Sequence, residues 1–233
     1  MDAQEQKQEG RDVVLWSGGL DSTVIVHELL QNASIENPLY TISVDGFPQI
    51  DQNLLKLQKK ARKKYIDRFN VDDRIEQATF NIEIFANPHK HYIPYSGLPQ
   101  PTIWMSNLIH LVHDNDTIHL GYIKGDDFWY YRKDFEEAFH LLLKIKDITG
   151  VKIEYPFRTT SKYEVLELAK KYEIPKSCYW YCENPRDGKP CGRCDCCVAH
   201  KSAKMTLKYL NKMWEKAGDE LALEIEEPKL KGS

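Results

Sequence analysis

The segment Trp16-Ser17-Gly18-Gly19-Leu20-Asp21-Ser22 limits what this chain can fold into more than any other. It follows the apolar run Val13-Val14-Leu15, which predicts a buried strand over Asp12–Trp16. It precedes Val24, Ile25, Leu29 and Leu30 at helical spacing, which predicts a helix over Ser22–Gln31. Two adjacent glycines between a strand and a helix let backbone N–H groups close around an anion. The positive end of the helix adds to that attraction. Ser17 and Ser22 offer hydroxyl donors. Asp21 would repel a phosphate on its own, but fits one that is bridged by a magnesium ion. The segment lacks the Gly-Lys-Ser/Thr of a Walker A loop. A Gly-rich turn with Asp as a helix cap is the plainer reading. Ser before the glycines and Asp-Ser after them favour the phosphate cradle.

The rest of the chain alternates strands and helices. Strands are expected at Leu39–Asp45, Arg74–Phe80, Thr117–Tyr122 and Val151–Tyr155. Helices are expected at Asn53–Phe69, Thr102–His113, Phe135–Ile148 and Ser161–Tyr172, the last opened by a Ser161/Glu164 capping box. Asn81–Pro101 holds Pro88, Pro94, Pro99 and Pro101 and reads as a long functional loop. Such alternation implies right-handed crossovers and a mostly parallel five-stranded sheet with helices on both faces, a Rossmann-like α/β fold. Ligands of such sheets lie beyond the carboxyl ends of the strands. Asp45, in Ser43-Val44-Asp45-Gly46, could line that crevice or mark a plain turn. Lys162, at the start of a helix, could reach a phosphate or be a solvated lysine.

All six cysteines fall between Cys178 and Cys197, in a chain without an apolar leader. In a reducing compartment clustered thiols read as metal ligands rather than disulfides. Cys182, Cys191, Cys194 and Cys197 give Cys-x8-Cys-x2-Cys-x2-Cys, the pattern of a closed tetrahedral structural zinc site. Cys178 could in principle replace Cys182, and Cys196 reads as a bystander. A redox dithiol or an iron–sulfur cluster is less favoured.

The Ser17-Gly18-Gly19-Leu20-Asp21-Ser22 segment resembles the Ser-Gly-Gly-x-Asp-Ser signature of the N-type ATP pyrophosphatases, of adenine nucleotide alpha hydrolase fold. Together with the cysteine cluster, Val44-Asp45-Gly46, His119-Leu120-Gly121 and Lys162, it is similar to the 7-cyano-7-deazaguanine synthase (QueC-like) family, over about Val13 to His200. The resemblance implies ATP, magnesium and a structural zinc, and commonly a homodimer. It implies adenylation of the carboxylate of 7-carboxy-7-deazaguanine, amide formation with ammonia, then a second adenylation and loss of water to a nitrile. It places ATP against Trp16, Ser17, Gly18, Gly19, Leu20, Asp21, Ser22, Asp45 and Gly121, with Asp21, Ser17, Ser22 and Lys162 in catalytic roles. The chain departs from the family where Pro-Gly-Arg-Asn is usual: here it reads Leu98-Pro99-Gln100-Pro101-Thr102-Ile103-Trp104. Glu-x-Asp and Tyr-Pro-Asp-x-Arg are replaced by Lys124-Gly125-Asp126-Asp127 and Tyr130-Tyr131-Arg132. Trp104, Asp126, Asp127, Trp129, Tyr130 and Arg132 are the expected acceptor-site residues, with core or interface aromatics as the competing reading.

The resemblance leads to the expectation of an AMP-forming ligase of a deazapurine carboxylate. A second reading keeps the chemistry but uses another amine, on a protein partner, as QueC-like proteins of bacterial anti-phage operons suggest. A tRNA-modifying ligase and a nucleotide-binding module without catalysis are further alternatives. The net charge of −3 gives no support for broad nucleic-acid binding. No apolar run approaches the roughly 20 residues of a membrane span, and a cytoplasmic protein is expected. The expected organisation is a disordered stretch 1–11, a core 12–175, a zinc module and C-terminal helix 176–216, and a tail 217–233.

Overall fold

The computed structural model describes residues 10–46, 52–81 and 108–225. Five parallel strands form one sheet: β1 (Asp12–Leu15), β2 (Leu39–Gly46), β3 (Ile75–Asn81), β4 (Thr117–His119) and β5 (Lys152–Glu154). Their order is β3-β2-β1-β4-β5, with Val13 beside Tyr40 on one side and Ile118 on the other. The chain leaves β1 toward β2 and later returns to β1's other edge at β4. This reversal is a topological switch point, and it opens a crevice at the carboxyl ends of β1 and β4.

Alternation along β1 shows why both faces are covered. Val13 and Val14 are fully buried, and successive strand side chains point to opposite faces. Val14 joins a cluster with Val24, Tyr65, Val165 and Ala203, from helices α1 (Leu20–Leu29), α2 (Gln52–Phe69), α4 (Lys162–Lys171) and α5 (Asp195–Ile225). Val13 joins Ile42, Leu108, Ile118, Phe128 and Phe139, the last from α3 (Arg132–Ile145). Helices therefore lie on both faces, as expected.

Several boundaries differ from those expected. α1 begins at Leu20 rather than Ser22, because Gly19 is extended (φ −73°, ψ 168°) and serves as the N-cap. β4 ends at His119, three residues early, although Leu120 N still donates to Glu154 O at 3.0 Å. α3 begins at Arg132, fed by a 3-10 turn at Asp127–Tyr130. α5 begins at Asp195 and runs to Ile225, past the expected end at Lys216. The Pro-rich loop and Trp104 lie outside the described residues, as does most of the expected Thr102–His113 helix. Among the described residues no helix is long and apolar enough to cross a membrane.

Asp116 ties the start of β1 to β4. Its side chain is 1% exposed and accepts from Arg11 N (2.9 Å), Nε (3.2 Å) and Nη2 (2.8 Å) and from His113 N (2.9 Å). Burial alone would raise its pKa. The hydrogen bonds from Arg11 and His113 outweigh burial and hold it below 3.8. A depressed carboxylate stabilises the fold fully above its unfolded pKa of about 3.9, and that stabilisation drains away as pH falls through the lower folded value. Asp116→Asn is expected to cost about 3 kcal/mol in urea unfolding at pH 7. The gap from the unaltered protein should stay level down to about pH 5 and narrow below about pH 4. A gap independent of pH would contradict this account.

Candidate functional site

The turn after β1 is held from outside itself. Trp16 is fully buried; its N donates to Ile42 O (2.8 Å) and its Nε1 to Thr23 Oγ1 (3.1 Å). Arg62, buried on α2, donates through Nη1 to Ser17 O at 2.9 Å. Trp180 N donates to Gly18 O at 2.8 Å. Within the turn, Gly19 N donates to Ser17 Oγ (3.1 Å), and the Ser17 and Ser22 hydroxyls lie 3.1 Å apart. Both hydroxyls and the first turn of α1 thus meet at one spot beyond β1.

Two glycines here are required by geometry. Gly18 has φ +84°, and a Cβ on it would stand 2.7 Å from Gln58 O of α2. A Cβ on Gly121, just beyond β4, would stand 3.2 Å from Ser22 N. Gly121 therefore allows the β4 end to abut the start of α1, across the switch point. Gly18→Ala is expected to destabilise by about 1–3 kcal/mol, through positive φ and the clash with α2. It should also weaken nucleotide binding at least tenfold in calorimetry. Unchanged affinity would show that the turn does not cradle the ligand.

Lys162 is not a solvated lysine. Its side chain is 16% exposed, and Nζ donates to Asp21 Oδ2 at 2.6 Å. The capping box fixes its direction: Ser161 N donates to Glu164 Oε2 at 2.6 Å, which starts α4 with Lys162 as its first residue. A cation at a helix N-terminus opposes the macrodipole, so this placement depends on its partner. Burial lowers the Lys162 pKa, but Asp21 more than compensates, and it ends above 10.5. The other Asp21 oxygen, Oδ1, is buried and has no hydrogen-bond partner. An orphaned carboxylate oxygen beside paired hydroxyls and a lysine fits a divalent cation bound with phosphate.

Of the expected acceptor residues, Trp104 lies outside the described residues, while Asp126 and Trp129 share Ile123, and Trp129 and Arg132 share Tyr155, as neighbours. Asp126 is close enough to Asp21 and Lys162 to feel both charges. Burial raises its pKa, Ile123 N opposes this by donating to Oδ2 at 2.8 Å, and Asp21 adds to the rise. Trp129 Nε1 donates to Ile123 O at 2.7 Å, and its ring packs on Phe128 and Tyr155. Arg132 lies over the Tyr155 ring and pairs with Glu136 at 3.3 Å. Asp127 is exposed, and Tyr130 is 91% exposed. Asp45 stands at the carboxyl end of β2, where the register with β3 shifts.

Cys182, Cys191, Cys194 and Cys197 bring their sulfurs within 4.8 Å of one another. Cys191 Sγ lies 4.0 Å from Cys197 Sγ, and Cys194 Sγ 4.0 Å from Cys182 Sγ. A tetrahedron with metal–sulfur bonds of about 2.3 Å has edges of about 3.8 Å, so the cage has the size for one ion. Backbone N–H groups support it: Cys194 N donates to Cys191 Sγ at 3.3 Å, and Cys191 N to Cys182 Sγ at 3.2 Å. The N–H groups of Arg193 and Cys194 pull the Cys191 thiol down to about 6, which favours the thiolate a metal needs. Cys196 is outside the cage, and burial pushes it up to about 12. Cys178 is buried in the core beside α2 and α4 and is also outside the cage.

Three residues at the site carry no sequence signal. Arg62 is one of many basic residues on α2, and Trp180 acts through its backbone. His200 of α5 is 2% exposed and stacks on Tyr181 with centroids 3.8 Å apart. It feels the charges of both Lys162 and Asp21.

The chain is similar to several known proteins. The family model described as queuosine biosynthesis protein QueC matches residues 11–208. The 7-cyano-7-deazaguanine synthase of Leptospira interrogans is 25% identical over 208 residues, covering 81% of this chain and 84% of the relative. The synthase of Picrophilus torridus is 29% identical, covering 81% and 84%. That of Marinomonas is 26% identical, covering 82% and 91%. Among solved structures, the U34-tRNA thiolase NcsA from Methanococcus maripaludis superposes with a TM-score of 0.47 at 20% identity, covering 96% of this chain and 75% of that one. With its family model matched from Arg11 to Lys208, the chain belongs to the QueC family.

Proposed function

We propose that this protein is an ATP-dependent, AMP-forming carbon–nitrogen ligase that activates the carboxylate of a 7-deazaguanine-type substrate. The observation that carries the reading is the Asp21–Lys162 pair, set against the Ser17 and Ser22 hydroxyls at the β1/β4 switch point, with Asp21 Oδ1 unpartnered. In this reading the Trp16–Ser22 turn, with Asp45 and Gly121 at its flanks, receives ATP. The N–H groups of the turn and the hydroxyls of Ser17 and Ser22 hold the β- and γ-phosphates. The ammonium of Lys162 faces the charge that builds on the phosphoryl oxygens as the α–β bond breaks. Asp21 orients that ammonium and offers Oδ1 to magnesium, which neutralises phosphate charge when bound.

The substrate carboxylate oxygen attacks the α-phosphorus, and pyrophosphate leaves. An amine then attacks the acyl carbon, loses a proton and expels AMP, giving an amide. With ammonia as the amine, the amide oxygen can attack the α-phosphorus of a second ATP, and pyrophosphate leaves again. Loss of AMP and two protons leaves a nitrile. Zinc in the Cys182/Cys191/Cys194/Cys197 cage would secure the start of α5, where four sulfurs leave no open position for catalysis.

A second reading differs only in the amine, which belongs to a protein partner, so that the reaction stops at the amide. It is favoured by the acceptor segment, where Trp129 and Arg132 are spent on local contacts and Tyr130 faces solvent. Mass spectrometry of products from ATP, magnesium and 7-carboxy-7-deazaguanine, with and without ammonia, tests both. A nitrile supports the synthase. An amide alone supports the second reading. Failure to form AMP or any derivative of the substrate would reject this function.

A further inference from the structure

Beside the cradle is a second feature that the AMP-forming reaction leaves unused. A cleft of about 530 Å³ is walled by Tyr181, Pro190, Gly192, Cys197 and the α5 residues His200 to Lys208. Lys201, Lys204 and Lys208 line it, and all three are exposed. Lys176 lies near the same tyrosine, with Nζ 5.7 Å from the Tyr181 ring centre. None of these four ammoniums forms an ion pair among the described residues. From Cys196 to Trp214 the chain has four lysines and no Asp or Glu, so a basic face exists despite the net charge of −3.

The floor of the cleft is polar in an unusual way. Both ring nitrogens of His200 are buried and have no hydrogen-bond partner. Burial lowers the His200 pKa to about 4. Buried polar groups are nearly always satisfied, so the unpartnered ring is an exception next to the lysine-lined cleft. One carboxylate would balance only one of these charges. The lysines follow each other along α5 by about 4.5 and 6 Å of axial rise, so a ligand that meets them together must carry several charges in a row.

We propose that this cleft binds the phosphate groups of a polyanion, held by Lys201, Lys204 and Lys208 over the Tyr181–His200 stack. The ligand is a soluble polyphosphate compound or a single nucleic-acid strand, which present the same chemistry to the lysines. The cleft adjoins the cradle through His200, but its lysines are not part of the cradle and the proposal does not depend on the AMP-forming reading.

The test measures two probes on the metal-loaded full chain: inorganic tripolyphosphate by calorimetry, and a fluorescein-labelled oligothymidylate by anisotropy. Lys204→Gln/Lys208→Gln removes two exposed charges, with circular dichroism and metal content as checks on folding. With magnesium present in all titrations, Asp21→Asn removes the cradle's metal-bridged hold on phosphate. The expected result is at least tenfold weaker binding of one or both probes in the lysine variant and little change in the Asp21 variant. For the oligonucleotide, the slope of log affinity against log salt should shrink by about 1.4, at about 0.7 per lost contact. Tighter binding of the oligonucleotide than of tripolyphosphate identifies a strand; equal or weaker binding identifies a soluble polyphosphate. Absence of binding by either probe overturns the proposal. So does binding that Asp21→Asn abolishes and the lysine variant leaves intact, because the anion would then sit in the cradle.

Discussion

Asp21→Asn is expected to lower AMP formation by about a thousandfold or more while leaving the fold intact, because this side chain has two tasks and the amide can do only one. The amide oxygen can still accept from Lys162, as Oδ2 does now at 2.6 Å. It cannot supply the negative charge that a cation at the buried Oδ1 position requires. Asp21→Ala should be equally inactive but less stable, since it strands the mostly buried Lys162 ammonium at a cost of about 3–5 kcal/mol. Comparing the variants separates catalysis from folding. A melting temperature near that of the unaltered protein, with activity gone, supports the assigned role for Asp21. Turnover above a tenth of normal in Asp21→Asn would refute it.

Cys194→Ser has the second large expected effect, on metal content and stability together. Its sulfur is 4.0 Å from Cys182 Sγ, and the four cage sulfurs come from two chain segments. An ion in the cage would tie Cys182 to the first turn of α5, and α5 covers α4. Metal content by elemental analysis should fall from about one per chain to near zero, since a structural zinc site needs all four thiolates. Several kcal/mol of stability should go with it, because metal-binding energy in such modules is folding energy. Cys196→Ser, next in the chain but outside the cage, is the control and should keep its metal. Equal loading of both variants would reject the ligand set.

The readable parts of this chain were the local ones. The cradle and the four-cysteine cage each lie within one short segment with residue types at fixed spacing. The strand–helix alternation is enough to predict a parallel sheet covered on both sides. Element ends were less legible, because they depend on particular backbone angles: Gly19 caps α1 from an extended conformation, and α5 takes Cys196 and Cys197 into its first turn. The supports of the site were illegible because they join distant positions. Arg62 and Ser17 are 45 residues apart, and Lys162 and Asp21 are 141 apart. The place of Lys162 at a helix start is legible, but only the fold reveals its partner. His200 gives no signal, as one histidine on a helix reads as ordinary core until the fold sets it against Tyr181 and the cleft.

The path of the carboxylate oxygen tests the central claim most directly. The substrate, labelled with oxygen-18 in its carboxylate, is incubated with ATP, magnesium and ammonia, and the released AMP is weighed by mass spectrometry. Adenylation by the cradle predicts one heavy oxygen in the AMP formed in the first step, together with unlabelled pyrophosphate. ADP as the nucleotide product, or AMP without label when the amide is made, would contradict it.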